Sequence, residues 1–500
     1  MSRSRRYQAY IRERYRLLLW YMGGIWAITG VTILSPLLAL PFFPSDAQYA
    51  WVFLLAGLPL IALGLMSRHF NKDIEKHSPN LQEGMVSIVL SWVVAILFGT
   101  VPFLLISNLT FSQAIFESTS GWTTTGLSVV DVTIAPPIIL LYRSIIQLVG
   151  GAGFAIIVLS SITGPVGSGL SEAEGRDDKL APNVRHSAGL VLRIYISYVI
   201  FGIVAYVLAG MPVFDAVNHA FAAVSTGGFS TRPESIGYYD SIAIEAVTLV
   251  LMILGTLNFL TAWLVVRGKW RDVLRNGEIR LLTVLLPIAA TLIFASLFGQ
   301  VYTSVGETAQ VALFESLSAL STTGFSTTSY TAWMPSAIMV MIIIMTIGGG
   351  SGSTSGGIKQ FRIYILLNAL YWEIRKAFLP ENAVNRASIW RGSERVPLTD
   401  KQVRRTALYL FFYVSLFFVL TLGILFHGNY TVAQALFESA STISTVGLSA
   451  GVTSPDAPAS LLWMQSVAML LGRLEFYALF IGIIKISSDL VTLAKPSGDR

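Results

Sequence analysis

The segment Thr445-Val446-Gly447-Leu448-Ser449 reveals how the chain is organised, because three weaker copies of it stand upstream. The copies are Thr124-Thr125-Gly126-Leu127-Ser128, Thr226-Gly227-Gly228-Phe229-Ser230 and Thr322-Thr323-Gly324-Phe325-Ser326. Their central glycines are roughly a hundred residues apart, and such a period indicates internal duplication. We call residues 124–126, 226–228, 322–324 and 445–447 the four strips. Each strip follows a short apolar segment and lies between two long apolar runs. The chain is therefore expected to contain four repeats of one unit.

The composition is that of a membrane protein. Of the 500 residues, 54% are hydrophobic and 12% are charged, whereas charged residues make up about 25% of soluble domains. Repeated apolar runs of about twenty residues match the thickness of a bilayer. Backbone groups that face lipid must find partners within their own segment, so the runs are expected to be helices. The sequence predicts an all-α polytopic membrane protein.

The net charge of +6 does not indicate a nucleic-acid partner, because the basic residues cluster in a few short connectors. This asymmetry is typical of cytoplasmic loops. It predicts a multi-pass protein of the cell (inner) membrane, in contact with lipid, with both termini cytoplasmic and the strips toward the outside. The clusters are Arg3, Arg5, Arg6, Arg12, Arg14 and Arg16; Arg267, Lys269, Arg271, Arg275 and Arg280; and Arg375, Lys376, Arg386, Arg391, Arg395, Lys401, Arg404 and Arg405.

Each repeat is predicted to consist of a long span, a half-length segment, a strip and a second long span. The expected division is a helix pair at 1–84 and repeats at 85–163, 164–267, 268–380 and 381–500. The half-length segments end at the strips, so their negative dipole ends are expected to favour a cation there. Thr110, Thr308 and Thr431 stand at the same distance ahead of their strips and are predicted N-caps.

The strips have the chemistry of an ion site built from backbone. Thr-Val-Gly begins the carbonyl-lined filter of potassium channels, where backbone oxygens replace the water around an ion. Glycine permits the conformation that aims a carbonyl inward, and it leaves no side chain in the path. We therefore expect the four strips to form one ring that binds a bare monovalent cation, potassium rather than sodium. The predicted ion-binding residues are Thr124, Thr125, Gly126, Thr226, Gly227, Gly228, Thr322, Thr323, Gly324, Thr445, Val446 and Gly447.

A glycine-rich stretch, residues 347–359, interrupts the second span of repeat three. Its end, Gly357-Ile358-Lys359-Gln360, lacks the Gly-Lys-Ser/Thr of a phosphate-binding loop. Non-helical backbone at membrane depth is tolerated only where it is buried or lines water, so the stretch is expected to lie across the ion path below the strips. It is a movable plug or, alternatively, a fixed kink. The predicted gate residues are Gly348, Gly349, Gly350, Gly352, Ser353, Thr354, Gly356, Gly357, Lys359 and Arg473.

Arg473 belongs to this gate because a charge inside an apolar span is costly unless it faces water or a partner. A guanidinium near the axis would repel a cation leaving the strips and could pair with the glycine-rich stretch. The alternative is a buried salt bridge, for instance with Glu475.

Two other function classes fit the sequence less well than ion permeation. An intramembrane enzyme would need a zinc pair or paired catalytic acids, and the five histidines are scattered. A carrier built from inverted repeats expects opposite topologies, whereas each repeat here begins on the same basic side. Coupling of potassium to protons or sodium stays open.

With these motifs the chain resembles the Trk/Ktr/HKT superfamily of potassium transporters, and its TrkH branch most closely. The resemblance rests on the four strips, on the glycine-rich stretch, on the segment 222–230 and on Gly472-Arg473-Leu474-Glu475, with two extra N-terminal helices. It implies four M1–pore helix–M2 units in pseudo-fourfold arrangement around one pore, and a gating role for the glycine-rich stretch and Arg473. It also implies a homodimer, a cytosolic TrkA-like subunit that binds nucleotide, potassium as the substrate, and no cofactor on this chain.

The resemblance bears on ion choice as well. In the plant HKT branch, a serine in place of the first filter glycine goes with sodium permeation, and here all four positions are glycine. Repeat two departs from the pattern, with Gly227 at the second strip position and Asn218-His219-Ala220 where the other repeats have Phe-Glu-Ser. Because strip two has Gly227 at its second position and the other strips lack the full Thr-Val-Gly-Tyr-Gly, selectivity is expected to be looser than in a potassium channel.

Overall fold

The computed structural model describes residues 3–74, 80–151, 184–380, 387–391 and 394–494. Within these ranges, seven helices are long and apolar enough to cross a membrane, and a bent helix pair would make an eighth span. The prediction of an all-α polytopic protein is thus confirmed.

The N-terminal helices pack tightly against each other. Helix α1 spans Arg3–Leu34 and α2 spans Ala50–Phe70, with 3₁₀ turns at Ser35–Ala39 and Pro44–Tyr49 between them. A Cβ added at Gly30 or Gly57 would come within 3 Å of the other helix. Small residues at such positions let two membrane helices approach closely.

Repeats one and two follow the predicted order. In repeat one the elements are α3 (Leu81–Ile106), the half-length helix α4 (Phe111–Trp122) and α5 (Pro137–Gly151). In repeat two they are α6 (Val184–Leu208), the half-length helix α7 (Val213–Val224), a 3₁₀ turn (Ser235–Tyr239), α8 (Ile242–Thr256) and α9 (Phe259–Val266).

Repeats three and four repeat the plan. After a short helix α10 (Trp270–Arg275) come α11 (Gly277–Leu297), the half-length helix α12 (Val305–Ser321), α13 (Pro335–Ile347) and α14 (Gln360–Lys376). An antiparallel hairpin of β1 (Ser388–Arg391) and β2 (Glu394–Pro397) precedes α15 (Asp400–Leu425), the half-length helix α16 (Val432–Ile443), α17 (Ala459–Arg473) and α18 (Phe476–Ala494).

The second long spans are broken more often than predicted. The interruption in repeat three is present, between α13 and α14. The second long span of repeat two, expected to be continuous, is instead two helices, α8 and α9, bent by 116°. The second long span of repeat four likewise breaks between α17 and α18, where Glu475 has a φ of 54°. The continuation of the first repeat's span beyond Gly151 lies outside the described residues.

The N-cap prediction holds at two of its three positions. The hydroxyls of Thr110 and Thr431 accept the N–H three residues on, and both belong to capping boxes. In repeat three the helix starts earlier, and Ser304 is its N-cap. Thr308 therefore lies within α12, where its hydroxyl donates to the Ser304 carbonyl at 2.6 Å. The prediction for Thr308 is wrong because Ser304 offers an equivalent cap one turn upstream.

The repeats close into a ring. The first long helix of each repeat packs on its own half-length helix. The helix after each strip packs on the half-length helix of the next repeat, in the pairs α5 with α7, α8 with α12, α13 with α16, and α17 with α4. Because the last pair returns to repeat one, the four half-length helices and their strips are held around a common centre.

Candidate functional site

The four strips share one strained backbone conformation. The threonine at the first position of each strip has a φ between 52° and 56°, and the glycine at the third position a φ between 73° and 99°. Positive φ is unfavourable for a β-branched residue. The middle residue donates its N–H to a carbonyl five residues back, in the last turn of the half-length helix, over 2.8–3.1 Å. The helix ends thus hold a conformation of the kind that persists at functional sites.

The strips lie side by side in a closed ring. A Cβ added to the third-position glycine of one strip would overlap the second-position carbonyl oxygen of the next strip. The pairs are Gly126 with Gly227, Gly228 with Thr323, Gly324 with Val446, and Gly447 with Thr125. Glycine is therefore required by both φ and close approach. The twelve predicted ion-binding residues come together, with backbone oxygens at the contacts between strips.

A buried carboxylate behind three of the strips holds the chain that follows them. Glu117 accepts bonds from the Ser128 hydroxyl and the Val129 N–H, both at 2.9 Å. The equivalent residues Glu315 and Glu438 accept backbone N–H bonds at 2.8 and 3.0 Å from the chain after strips three and four. All three are fully buried. Each carboxylate thereby holds the chain that follows its strip in place. These hydrogen bonds also replace the water that a carboxylate loses when it is buried.

Repeat two uses a histidine for the same purpose. His219 stands at the position of the glutamates, and its Nε2 lies 2.9 Å from the Ser230 hydroxyl after strip two. Its Nδ1 lies 2.8 Å from the Asp215 carbonyl. Asp215 in turn forms an ion pair with Arg232 at 2.8 Å, so the positive charge of this arginine near strip two has a carboxylate partner. Repeat two therefore differs from the other repeats in the side chain that forms the hydrogen bond, but the chain after its strip is still held by that bond.

Arg143 links the first two strips. It is 2% exposed and donates to Glu117 at 2.9 Å and to the Ser128 hydroxyl at 2.8 Å. A third bond reaches the Ser230 carbonyl at 3.1 Å, and the guanidinium lies 4.0 Å from the centre of the Phe229 ring. The arginine joins the chain after strip one to the chain after strip two.

We call residues 348–359, the part of the glycine-rich stretch that lies between α13 and α14, the glycine-rich segment. It lies against the ends of the half-length helices from which the strips emerge. The Thr354 hydroxyl donates to the Val224 carbonyl at the end of α7, at 3.1 Å. The Gly356 N–H donates to the hydroxyl of Thr322, the first residue of strip three, at 2.7 Å. The segment therefore touches repeats two and three directly.

The same segment reaches repeats four and one. A Cβ on Gly356 would overlap the Ser444 carbonyl, immediately before strip four. Arg473 donates to the Thr354 carbonyl at 2.8 Å and to the Gly150 carbonyl near the end of α5 at 2.7 Å. The segment and the guanidinium together span the ring from side to side. Glu475, the alternative partner considered for Arg473, pairs with Arg362 at 2.6 Å.

The remaining predicted gate residues give the segment a compact shape. The Ser351 N–H donates to Glu278 at 2.6 Å, and the Ser353 hydroxyl to the Gly350 carbonyl at 2.6 Å. Gly349 packs against the Thr256 side chain. Positive φ occurs at Gly348, Gly352, Gly357 and Lys359.

Comparison with known proteins identifies the family. The model of the TrkH family, described as cation transport protein, matches residues 51–492. The chain belongs to this family.

Relatives within the TrkH family cover almost the whole chain. The Trk system potassium uptake protein TrkH of Halomonas elongata is 31% identical over 93% of this chain and 98% of its own length. TrkG of Escherichia coli, also named a Trk system potassium uptake protein, is 32% identical over 80% of this chain and 84% of its own. The crystal structure of the potassium transporter TrkH from Vibrio parahaemolyticus superposes with a TM-score of 0.81, at 29% identity, over 94% of this chain and 98% of that one. This TrkH-family chain is a multi-pass membrane protein and not an enzyme.

Several residues of this TrkH-family site were missed by sequence reasoning. No role was assigned from the sequence to the glutamates of the Phe-Glu-Ser triplets or to Arg143. The regular spacing of these residues indicated a common role in the sequence itself, because each glutamate, like His219, stands nine residues ahead of the third-position glycine of its strip. Their partners could not be inferred, since they come from the chain beyond the strip.

The Arg143–Glu117 pair predicts a measurable coupling. Arg143→Met or Glu117→Gln should each destabilise the protein by roughly 3–5 kcal/mol, because either change leaves one buried charge unpaired. The double variant should lose less than the sum of the two. Thermal unfolding of the four proteins in detergent measures this. As a control, Arg404→Met removes an exposed arginine of α15 and should change stability little. Additive losses at Arg143 and Glu117 would contradict the coupling.

Proposed function

We propose that this chain carries potassium into the cell across the cytoplasmic membrane, through the ring formed by the four strips. The observation that carries the proposal is the closure of that ring, in which each third-position glycine lies against a carbonyl of the next strip. Relatives named potassium uptake proteins support the choice of ion. Potassium is then the substrate, and the chain itself needs no cofactor.

The ring suits a monovalent cation with its water removed. Its contacts are made by neutral backbone oxygens, and the half-length helices direct their negative dipole ends toward it. Neutral carbonyls replace hydration water without the strong binding that a ring of carboxylates would give, so an ion can enter and leave. Glycine at the third position of all four strips favours potassium over sodium. Sodium permeation and coupling to protons or sodium are the alternatives.

The glycine-rich segment and Arg473 act as the gate in this proposal. The segment contacts the half-length helix or strip of repeats two, three and four, and Arg473 connects it to repeat one. A chain that crosses below the ring in this way blocks the exit of an ion. Its bonds to several different helices can be broken together if the inner helices move apart, which would open the path.

The assembly and orientation complete the proposal. We assign the N-terminal pair to 1–84 and the four repeats to 85–163, 164–267, 268–380 and 381–500, with basic connectors and both termini in the cytoplasm. The assembly we propose is a homodimer that works with a TrkA-like nucleotide-binding subunit on that face. The relatives' names, which refer to a Trk system, support a transporter with more than one component.

Uptake of rubidium and sodium into liposomes containing the purified protein tests the proposal. Rubidium should enter faster than sodium, and added potassium should compete with it. Repeating the measurement at equal and unequal pH across the membrane separates a channel-like path from proton coupling. Absence of alkali-ion uptake both by the folded original protein and by folded Arg473→Ala protein, in which the contacts of the proposed gate are removed, would refute the proposal.

A further inference from the structure

Gln147 fills the space behind strip two. It lies on α5, it is fully buried, and its Nε2 donates to the Gly227 carbonyl at 2.6 Å. Its Oε1 accepts the Phe229 N–H at 3.2 Å. The amide thus bonds to the strip's middle carbonyl and to the residue immediately after the strip. The same Gly227 oxygen lies against Gly126 of strip one, so Gln147 acts on an atom of the ring.

The other three strips carry a side chain at this second position. Thr125 is within hydrogen-bond distance of the Thr123 hydroxyl, at 2.8 Å, and Thr323 of the Ser321 hydroxyl, at 2.7 Å. Val446 is fully buried in an apolar cluster. In these strips the second-position side chain therefore packs away from the ring centre and secures the strip from behind.

The backbone conformation at position 227 does not itself require glycine. Among the strip glycines, Gly126, Gly228, Gly324 and Gly447 have positive φ, whereas Gly227 does not. What excludes a side chain there is Gln147, because an added Cβ would lie 2.5 Å from its Cδ and 2.6 Å from its Oε1. Gln147 and Gly227 form a complementary pair, in which one neighbouring helix supplies the group that the strip lacks.

We propose that Gln147 is a specificity-determining residue of the ring, supplying from α5 the support that Thr125, Thr323 and Val446 give to the other strips. The inference deepens the proposed function and rests on it. A carbonyl oxygen has two lone pairs, so it can accept the amide bond and still face an ion. Because the bond fixes its position, this carbonyl cannot follow a smaller ion inward, and the ring discriminates against sodium.

The first test removes the bonds and keeps the bulk. Gln147→Leu and Gln147→Met should retain rubidium uptake into liposomes. The ratio of rubidium to sodium uptake should fall by about threefold or more, which is a change within the range that the loss of one hydrogen bond produces. The control is Gln8→Leu, on α1. Gln8 is also buried, and it donates to the Thr492 carbonyl at 2.9 Å, outside the strips and the residues that anchor them. This control should keep the ratio of the original protein.

The second test exchanges the volumes. Gly227→Val alone should lower the melting temperature in detergent and reduce uptake, because the new side chain overlaps Gln147. Adding Gln147→Ala should recover both the melting temperature and the uptake. The smaller side chain vacates the space that the new valine needs, and strip two then has the same second-position residue as strip four. This readout stands even if the Gln147→Leu protein does not fold, and its stability measurement does not depend on transport.

The outcomes separate the two proposals. If neither the original protein nor folded Arg473→Ala protein takes up an alkali ion, or if the uptake shows no rubidium preference, the proposed function fails. If it prefers rubidium and the folded Gln147→Leu and Gln147→Met proteins keep the same ratio, the role of Gln147 is refuted. It is also refuted if Gly227→Val is as stable and active as the original, or if Gln147→Ala brings no recovery.

Discussion

Replacing Gly447 by serine is expected to abolish most of the preference for rubidium over sodium. Gly447 has a φ of 99°, and a Cβ there would overlap the Thr125 carbonyl of strip one. Serine therefore adds backbone strain and forces strips four and one apart, which displaces a ring oxygen. Since a change of 1.4 kcal/mol is tenfold in an equilibrium, we expect the uptake ratio to fall by about tenfold or more in liposomes.

A second glycine separates the effect of the contact from that of the backbone. Gly428, after α15, has a φ of 83° and no atom within 4 Å of an added Cβ. Gly428→Ser should cost only the backbone strain, and so less stability than Gly447→Ser, and it should leave the uptake ratio unchanged. An unaltered ratio in folded Gly447→Ser protein, or an equal loss in both variants, would show that close packing of the strips does not set the selectivity.

Replacing Arg473 by alanine is expected to raise ion flux in the absence of any cytosolic partner. The change removes the guanidinium that binds the Thr354 carbonyl of the glycine-rich segment and the Gly150 carbonyl of α5. Each bond from a charged donor stabilises the closed arrangement by about 1.5–3 kcal/mol. Loss of both should therefore increase rubidium uptake by the purified protein by about tenfold or more.

Two controls are matched to this prediction. Arg404→Ala removes an exposed arginine of α15 and should leave the flux unchanged. Arg473→Lys keeps a positive charge but cannot hold two carbonyls in the same fork geometry, so its flux should lie between those of the original and the alanine variant. If Arg473→Ala folds and conducts no faster than the original, the closed gate does not depend on these bonds.

Much of the architecture followed from local features of the sequence. Apolar runs of membrane length, the half-length segments and the recurring Thr-x-Gly predicted the four repeats, and the glycine-rich stretch predicted the break between α13 and α14. The caps at Thr110 and Thr431 were also predicted. These features depend on hydrophobicity and on backbone preferences of single residues, which act over a few neighbouring positions.

The breaks in repeats two and four needed more than local information. Asn258 caps the start of α9 by accepting the Leu260 N–H at 2.8 Å, and the Phe259 N–H donates to the Gly352 carbonyl of the glycine-rich segment. Backbone groups freed inside a membrane are tolerated where other segments satisfy them. The polar residues Asn258 and Glu475 within apolar runs were the local signal, and they were not sufficient by themselves.

The repeats, their helices and the glycines of the strips could be predicted from the amino-acid sequence, because these follow from the chemistry of adjacent residues. Three contacts became apparent only in the folded chain: strip one lies between strips two and four, Arg143 joins Glu117 to Ser230, and Gln147 supports strip two. These partners are separated by tens to hundreds of residues. Their contacts arise because the membrane helices pack side by side and close the chain into a ring, and no spacing along the sequence encodes which side chains then meet.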